Sequence, residues 1–159
     1  MDKPALIRAL LEQLATDIAR AVEAANRSRQ DATHDEARPE NDKDTRALET
    51  SYLARGQAQR VVDLEQAERQ VRFMSVREFG ENDPIDLSAL VELESDDGRK
   101  WYFVAPSGGG RTLEQAGVAI DVITPEAPVG RALIGRLAGE DLELRVGRRM
   151  REYTITRVR

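Results

Sequence analysis

Six carboxylates crowd one short stretch of this chain. Residues 31–44 read DATHDEARPENDKD, with Asp31, Asp35, Glu36, Glu40, Asp42 and Asp44 set against Arg38 and Lys43. Carboxylates are hard oxygen ligands suited to Mg²⁺, which keeps several waters and takes only one or two protein carboxylates. Such a cluster cannot enclose an ion by itself. It could complete a site in a partner that already holds one metal, and two metals spanning the attacking and leaving oxygens are the usual arrangement for phosphodiester cleavage. The same acids also have a plainer use. Glu40 and Asp42 fall in the first turn of a helix predicted to begin near Pro39, where acids complement the helix dipole.

Other residues with chemical potential are few. His34 is the only histidine and there is no cysteine, so a zinc site of ordinary composition and a disulfide are both excluded. His34 is expected as a solvated loop residue. Ser107-Gly108-Gly109-Gly110-Arg111 looks superficially like a phosphate loop but lacks the lysine and the Ser/Thr of one, and precedes no clear helix. It is expected to be a flexible connection. The end of the chain carries Arg145, Arg148, Arg149, Arg151, Arg157 and Arg159 against Glu152 alone. On an edge strand such charge protects against strand pairing; it could equally meet an acidic partner or an RNA backbone.

The acidic stretch needs elements to carry it. Charged residues make up 33% of the 159 and aromatics 4%, a balance suited to an extended arm plus a small domain. From Pro4 to about residue 30 the spacing of Ile7, Leu11, Leu14, Ile18, Ala21 and Ala25 is a heptad seam, which predicts a helix packed along a partner helix. From Pro39 to about Val71 a second helix is predicted. Its seam holds Ala47, Ala54, Ala58 and Val61, broadened by Leu48, Tyr52, Val62 and Leu64. The pair forms an antiparallel hairpin about 40 Å long at 1.5 Å per residue, with the acids at its turn.

Beyond it, strands are predicted at residues 73–76, 89–93, 100–104, 118–123, 142–146 and 151–158. Asp96-Asp97-Gly98 is a hairpin turn, and a short helix over 128–134 is closed by Gly135. The fold class is α+β. Residues 1–75 form a coiled-coil hairpin with its acidic tip at 31–44, and residues 76–159 form an antiparallel sheet domain with one short helix. The segment from Met74 to Arg77 could hinge. The N-terminal MDKPALIRALLEQL has no signal-peptide layout and no apolar run approaches a membrane span. A soluble cytoplasmic protein without a membrane partner is expected.

Three features resemble one family. Ala127-Pro128-Val129-Gly130-Arg131-Ala132-Leu133-Ile134-Gly135-Arg136, followed by Gly139-Glu140-Asp141, resembles the Ser-Pro-Ile-(Ala/Gly)-Arg-Ala-Leu-(Ile/Leu)-Gly-Lys signature and Gly-Asp turn of the Gre transcript cleavage factors of bacterial RNA polymerase. Arg151-Glu152-Tyr153-Thr154-Ile155 resembles their closing strand. Glu40-Asn41 stands where that family has Gly-Asp-Leu-x-Glu-Asn-Ala-Glu-Tyr at its hairpin tip. The order of hairpin and sheet is similar along nearly the whole chain. Ala37 occupies the first acidic position of the tip motif, Lys43 and Asp44 stand for its later acid and tyrosine, and Ala127 replaces the serine.

The resemblance implies an FKBP-like C-terminal domain that docks at the rim of the polymerase secondary channel. Pro128, Arg131, Ala132, Leu133 and Ile134 would lie in the docking region. It also implies a monomer that is not itself an enzyme. Glu40, with one or more of Glu36, Asp42 and Asp44, would act in trans on Mg²⁺ shared with the polymerase, so that backtracked RNA is hydrolysed; contact with the nascent RNA is a further expectation. The factor would hold no cofactor of its own. Three alternatives stand beside this. One is a channel-binding regulator that inhibits or alters transcription without cleavage, and another is a structural coiled-coil adaptor. The third is a peptidyl-prolyl isomerase, for which only Trp101, Tyr102, Phe103 and Tyr153 could line a pocket, and strand alternation sends neighbours to opposite faces.

Overall fold

The computed structural model describes residues 1–36, 44–80, 82–147 and 149–159. Two long helices open the chain, α1 (Lys3–Glu36, 34 residues) and α2 (Asp44–Arg72, 29 residues). At 1.5 Å per residue they run roughly 51 and 44 Å. They form a helical hairpin, and the chain divides into two compact units. One unit spans Glu12–Glu68. The other joins Met1–Leu11 to Arg69–Arg159.

In the hairpin unit the α1 seam is carried by Leu14 and Ala21, both buried, with Ile18 and Ala25 half-buried. In the other unit Leu6 and Leu10 are buried, and the expected seam residues Ile7 and Leu11 are only half so. The seam there is centred one residue nearer the N-terminus than the heptad spacing suggests. On α2, Ala54, Val61 and Leu64 are half-buried, together with Gln57, which keeps a narrow stripe at steps of three and four. Leu48, Tyr52 and Val62 were expected to widen it, but they are exposed, at 57%, 68% and 49%. They lie off the stripe that helical geometry turns inward.

The other unit holds six strands: β1 (Leu90–Ser95), β2 (Gly98–Val104), β3 (Thr112–Gln115), β4 (Val118–Ile123), β5 (Asp141–Val146) and β6 (Arg149–Val158). A short helix, α3 (Pro128–Leu133), lies between β4 and β5. The strand order is β3-β4-β2-β1-β6-β5. Every neighbouring pair is antiparallel except β2 and β4, which run parallel. The sheet is therefore mixed, where an antiparallel one was expected. The physical reason is β3, which no local pattern announced. The chain leaves β2, reverses through β3 at the sheet edge, and returns as β4 in the direction of β2. Residues 73–76 form no strand; Phe73 closes α2, its N–H bonded to the Arg69 carbonyl at 3.0 Å.

Alternation gives the sheet two apolar faces. One carries Val91, Leu93, Tyr102, Val104, Tyr153 and Ile155, covered by Leu133 of α3. Strand register gathers Leu90, Trp101, Phe103, Leu113 and Ile120, all buried, on the other. The start of α1 and the end of α2 supply Leu6, Leu10 and Val71, all buried, to the same unit. Gly108 sits directly against Leu10: a Cβ placed there would lie 3.1 Å from Leu10 Cδ1. Among the described residues no helix is long and apolar enough to cross a membrane.

Lys3 ties the beginning of α1 to the segment that follows α2. Only 4% exposed, it donates from Nζ to the Arg77 carbonyl and sits 4.8 Å from the Phe79 ring centroid. The Arg77 N–H in turn bonds Ser88 Oγ at 2.9 Å. Arg77, where a hinge was expected to end, is thus anchored on both sides. Burial lowers the Lys3 pKa from its ordinary 10.5; Glu78 opposes that shift and Arg77 adds to it. The unfolded chain then binds more protons than the folded one between the lowered value and 10.5, so stability from this group rises with pH across that window. Tyr102 acts in the opposite sense. Burial, then Asp121 and Tyr153, raise its pKa above 10.0, so the stability it contributes is full below 10.0 and is lost as pH climbs through the raised value. Lys3→Met is expected to remove the rise and leave the fall. Urea midpoints measured at increasing alkaline pH should show the wild type gaining on the variant; parallel profiles would contradict this.

Candidate functional site

The two long helices bracket residues 37–43 of the acidic stretch. Glu36 is the last residue of α1 and Asp44 the first of α2. Glu40 and Asp42 lie outside the described residues. The first helix runs further than expected, so Asp31, His34, Asp35 and Glu36 belong to its final turns and not to a loop. Among the described residues no group of three or more His, Cys, Asp or Glu side chains is placed to hold a metal.

The second candidate region is built around α3. Pro128 takes the first turn, where a missing N–H is harmless. Ala127 precedes it in extended conformation and offers no side-chain cap. Arg131 donates its N–H to the Ala127 carbonyl at 2.9 Å and its Nη1 to the Glu126 carbonyl at 2.5 Å. Gly135, with φ of 82°, turns the chain out of the helix. A helix of six residues cannot stand alone. Burial of Leu133, worth about 1.5–3 kcal/mol, seats it on the sheet. Of the five residues named for docking, Pro128 and Arg131 are exposed, Ala132 and Ile134 pack partly against the core, and Leu133 is fully buried in it. What α3 can present to a partner is therefore its Pro128 end and Arg131.

Beside α3 a groove of about 770 Å³ opens over β2 and β4. Lys100, Arg111 and Arg145 stand around it with the exposed Pro128, whereas Tyr102 and Val122 are buried, 7% and 1% exposed. Asp121 is the acid among its residues, and its Oδ1 accepts the Thr112 hydroxyl at 2.8 Å. Sequence reasoning singled out none of Lys100, Arg111 and Arg145 as a set. They come from β2, the loop before β3 and β5, so only the sheet order brings them together. Tyr102 and Tyr153 lie on this side of the sheet, whereas Trp101 and Phe103 belong to the opposite face. The four aromatics therefore line no common pocket.

The glycine-rich loop is held by specific contacts. Gly110 N–H bonds the Val122 carbonyl at 2.9 Å, Ser107 Oγ bonds Gln70 Oε1, and a Cβ at Gly109 would press on Thr124 Cγ2 at 3.1 Å. Two arginines of the basic tail are also engaged internally. Arg151 pairs with Asp97. Arg157 reaches the buried Glu92 at 3.8 Å and lies 6.0 Å from the Trp101 ring centroid. Glu92 also holds Arg99 at 3.6 Å and accepts the Thr156 hydroxyl at 3.1 Å. A carboxylate buried on a sheet needs such partners, and this one has them.

No protein-family model matches the chain, and no curated protein matches it. Solved structures do. A structure of the transcription factor Gfh1 is 21% identical, with 94% of this chain and 93% of that one aligned at a TM-score of 0.42. GreA factor homolog 1 (Gfh1) of Thermus thermophilus is 18% identical over 95% of both chains at 0.40. The prokaryotic transcription elongation factor GreA/GreB from Nitrosomonas europaea is 19% identical over 60% of this chain and 78% of its own, at 0.36.

Proposed function

We propose that this chain is a Gre-type accessory factor of RNA polymerase. Its sheet unit docks at the rim of the secondary channel, and its helical hairpin carries carboxylates to the polymerase active centre. The observation that carries this reading is the architecture: a 34-residue helix ending at Glu36 and a 29-residue helix beginning at Asp44 bracket the acidic stretch. The signature from Ala127 to Arg136 and the order of hairpin and sheet support the same assignment.

In this reading Glu40, with Glu36, Asp42 and Asp44, would hold a second Mg²⁺ in common with the polymerase. When bound, such an ion would supply an activated water and charge neutralisation for phosphodiester hydrolysis. The chain's own contribution is delivery: the hairpin brings negative charge to a centre built by another protein, and the RNA is cut there. Pro128 and Arg131 belong to the docking region. A second reading shares the site and differs in outcome. Ala37 and Lys43 stand at two acidic positions of the tip motif, which favours a regulator that fills the channel without cleavage.

Local oxidation tests the delivery step. With Fe²⁺ in place of Mg²⁺ at the polymerase active centre, hydroxyl radicals should cut the bound chain within residues 31–44. Cuts confined to other positions, or none while the complex persists, would overturn the reading.

A further inference from the structure

We propose that the edge of β5 pairs antiparallel with β5 of a second copy of this chain, joining two six-stranded sheets into one. Strands β3 and β5 are the edges of the sheet. The β3 edge is four residues long and its last residue is taken: Gln115 donates to the Asp2 carbonyl at 2.9 Å and accepts the Asp2 N–H at 2.7 Å. Proline and bulges are usual protections of an edge, and β5 has neither. It is six residues long, contains no proline, and keeps an unbroken register with β6.

Ladder parity tells which groups of β5 are unspent. In an antiparallel pair, alternate residues bond the neighbouring strand and those between them face away. Ile155 of β6 donates to the Glu140 carbonyl at 2.9 Å. Tyr153, Arg151 and Arg149 follow at steps of two, so they bond their register partners Leu142, Leu144 and Val146. The main chain of Asp141, Glu143 and Arg145 therefore faces outward. The Asp141 carbonyl accepts Arg136 Nη1 at 3.2 Å. The outward N–H and C=O groups of Glu143 and Arg145 have no partner among the described residues.

The side chains select the occupant. Outward groups must meet outward groups, and pairing about a two-fold axis at Leu144 achieves this. Glu143 of each copy then lies opposite Arg145 of the other, with their main chains bonded both ways. Every other register of matching parity sets like charges face to face: Glu143 on itself, Arg145 on itself, or Asp141 on Glu143. Like charges directly opposite destabilise a strand pair and opposite ones stabilise it. Within its own sheet neither charge is used, since Glu143 lies opposite Glu152 and Arg145 opposite Met150. Both side chains are exposed. Charge on an edge ordinarily prevents pairing; the order Glu143-Leu144-Arg145 instead makes this edge complementary to its own antiparallel copy.

Sedimentation of the full chain over rising concentration is the test. One strand pair buries little surface, so the association is expected to be weak. Glu143→Arg and Arg145→Glu should each weaken it about 10-fold or more, because like charges then oppose at both positions. The double reversal Glu143→Arg/Arg145→Glu exchanges the charges and should restore it. An equimolar mixture of the two single variants should associate as the wild type does. Unchanged Trp101 emission and thermal midpoints would establish that the variants are folded. Hydrogen exchange at the Glu143 and Arg145 amides should slow as wild-type concentration rises. A wild type that stays monomeric at millimolar concentration overturns the proposal. So do single variants that dimerise unchanged, a double reversal that stays weak, or a dimer that leaves those two amides unprotected. Core RNA polymerase is the second probe: a monomeric chain whose two amides only polymerase protects has another occupant at this edge, which overturns the choice of a second copy.

Discussion

Replacing Gly130 by alanine is expected to cost the chain about 3 kcal/mol or more of unfolding free energy. Gly130 is buried in the middle of α3, and a Cβ built on it lies 1.9 Å from the Thr124 carbonyl oxygen and 2.8 Å from its carbon. Overpacking costs about 1–3 kcal/mol where neighbouring side chains can give way. Here the obstacle is main chain, and the same oxygen already accepts the Ala127 N–H at 3.0 Å. Relief therefore requires α3 to lift from the turn that precedes it, withdrawing Leu133 from the core. For a domain whose whole stability is about 5–15 kcal/mol, that is a severe loss. Urea unfolding followed by Trp101, the single tryptophan, measures it directly. Gly56→Ala is the control: nothing lies within 4 Å of its added Cβ, and in a helix interior the change should stabilise by about 0.5–1 kcal/mol. A Gly130→Ala midpoint equal to the wild type would show that the turn is not as tightly closed as described.

Removing Glu40 and Asp42 should have a comparably large effect on activity with little on stability. Glu40→Ala combined with Asp42→Ala is expected to slow transcript shortening by about 100-fold or more, since even outer-shell partners of a metal are worth 10–100-fold. Affinity for polymerase should change far less, because docking is assigned to the other unit. Unfolding should be nearly unaffected. The informative comparison adds Asp35→Ala and Glu36→Ala in a separate variant. If these acids serve the site, that variant loses activity; if they do not, it keeps it. Undiminished shortening by the Glu40/Asp42 variant would sink the metal role of the tip.

How much of this was readable beforehand follows from where the information resides. The two helices were legible because their seams and lengths are local properties. Even so, Leu10 and not Leu11 is fully buried near the start of α1, since the half of a broad apolar stripe that turns inward depends on what covers it. The hairpin turn at Asp96-Asp97 was legible for the same reason: Ser95 and Gly98 pair across two residues whose types suit it. β3 was not, because Thr112–Gln115 is four residues long and becomes a strand only by pairing with β4. The parallel pairing of β2 and β4 depends on β3 and was lost with it. The Ser107–Gly110 loop read as flexible because glycines signal freedom, whereas here they let backbone approach Leu10 and Thr124. For the candidate site, the acidic composition of residues 31–44 was plain. The groove was not, since Lys100, Arg111 and Arg145 are separated in sequence and meet only through strand order.

The measurement that tests the central claim most directly uses a stalled, backtracked RNA polymerase complex with end-labelled transcript in Mg²⁺. Adding the wild-type chain should shorten the transcript from its 3′ end, and Glu40→Ala should not. Absence of shortening together with absence of binding to the complex would contradict the account.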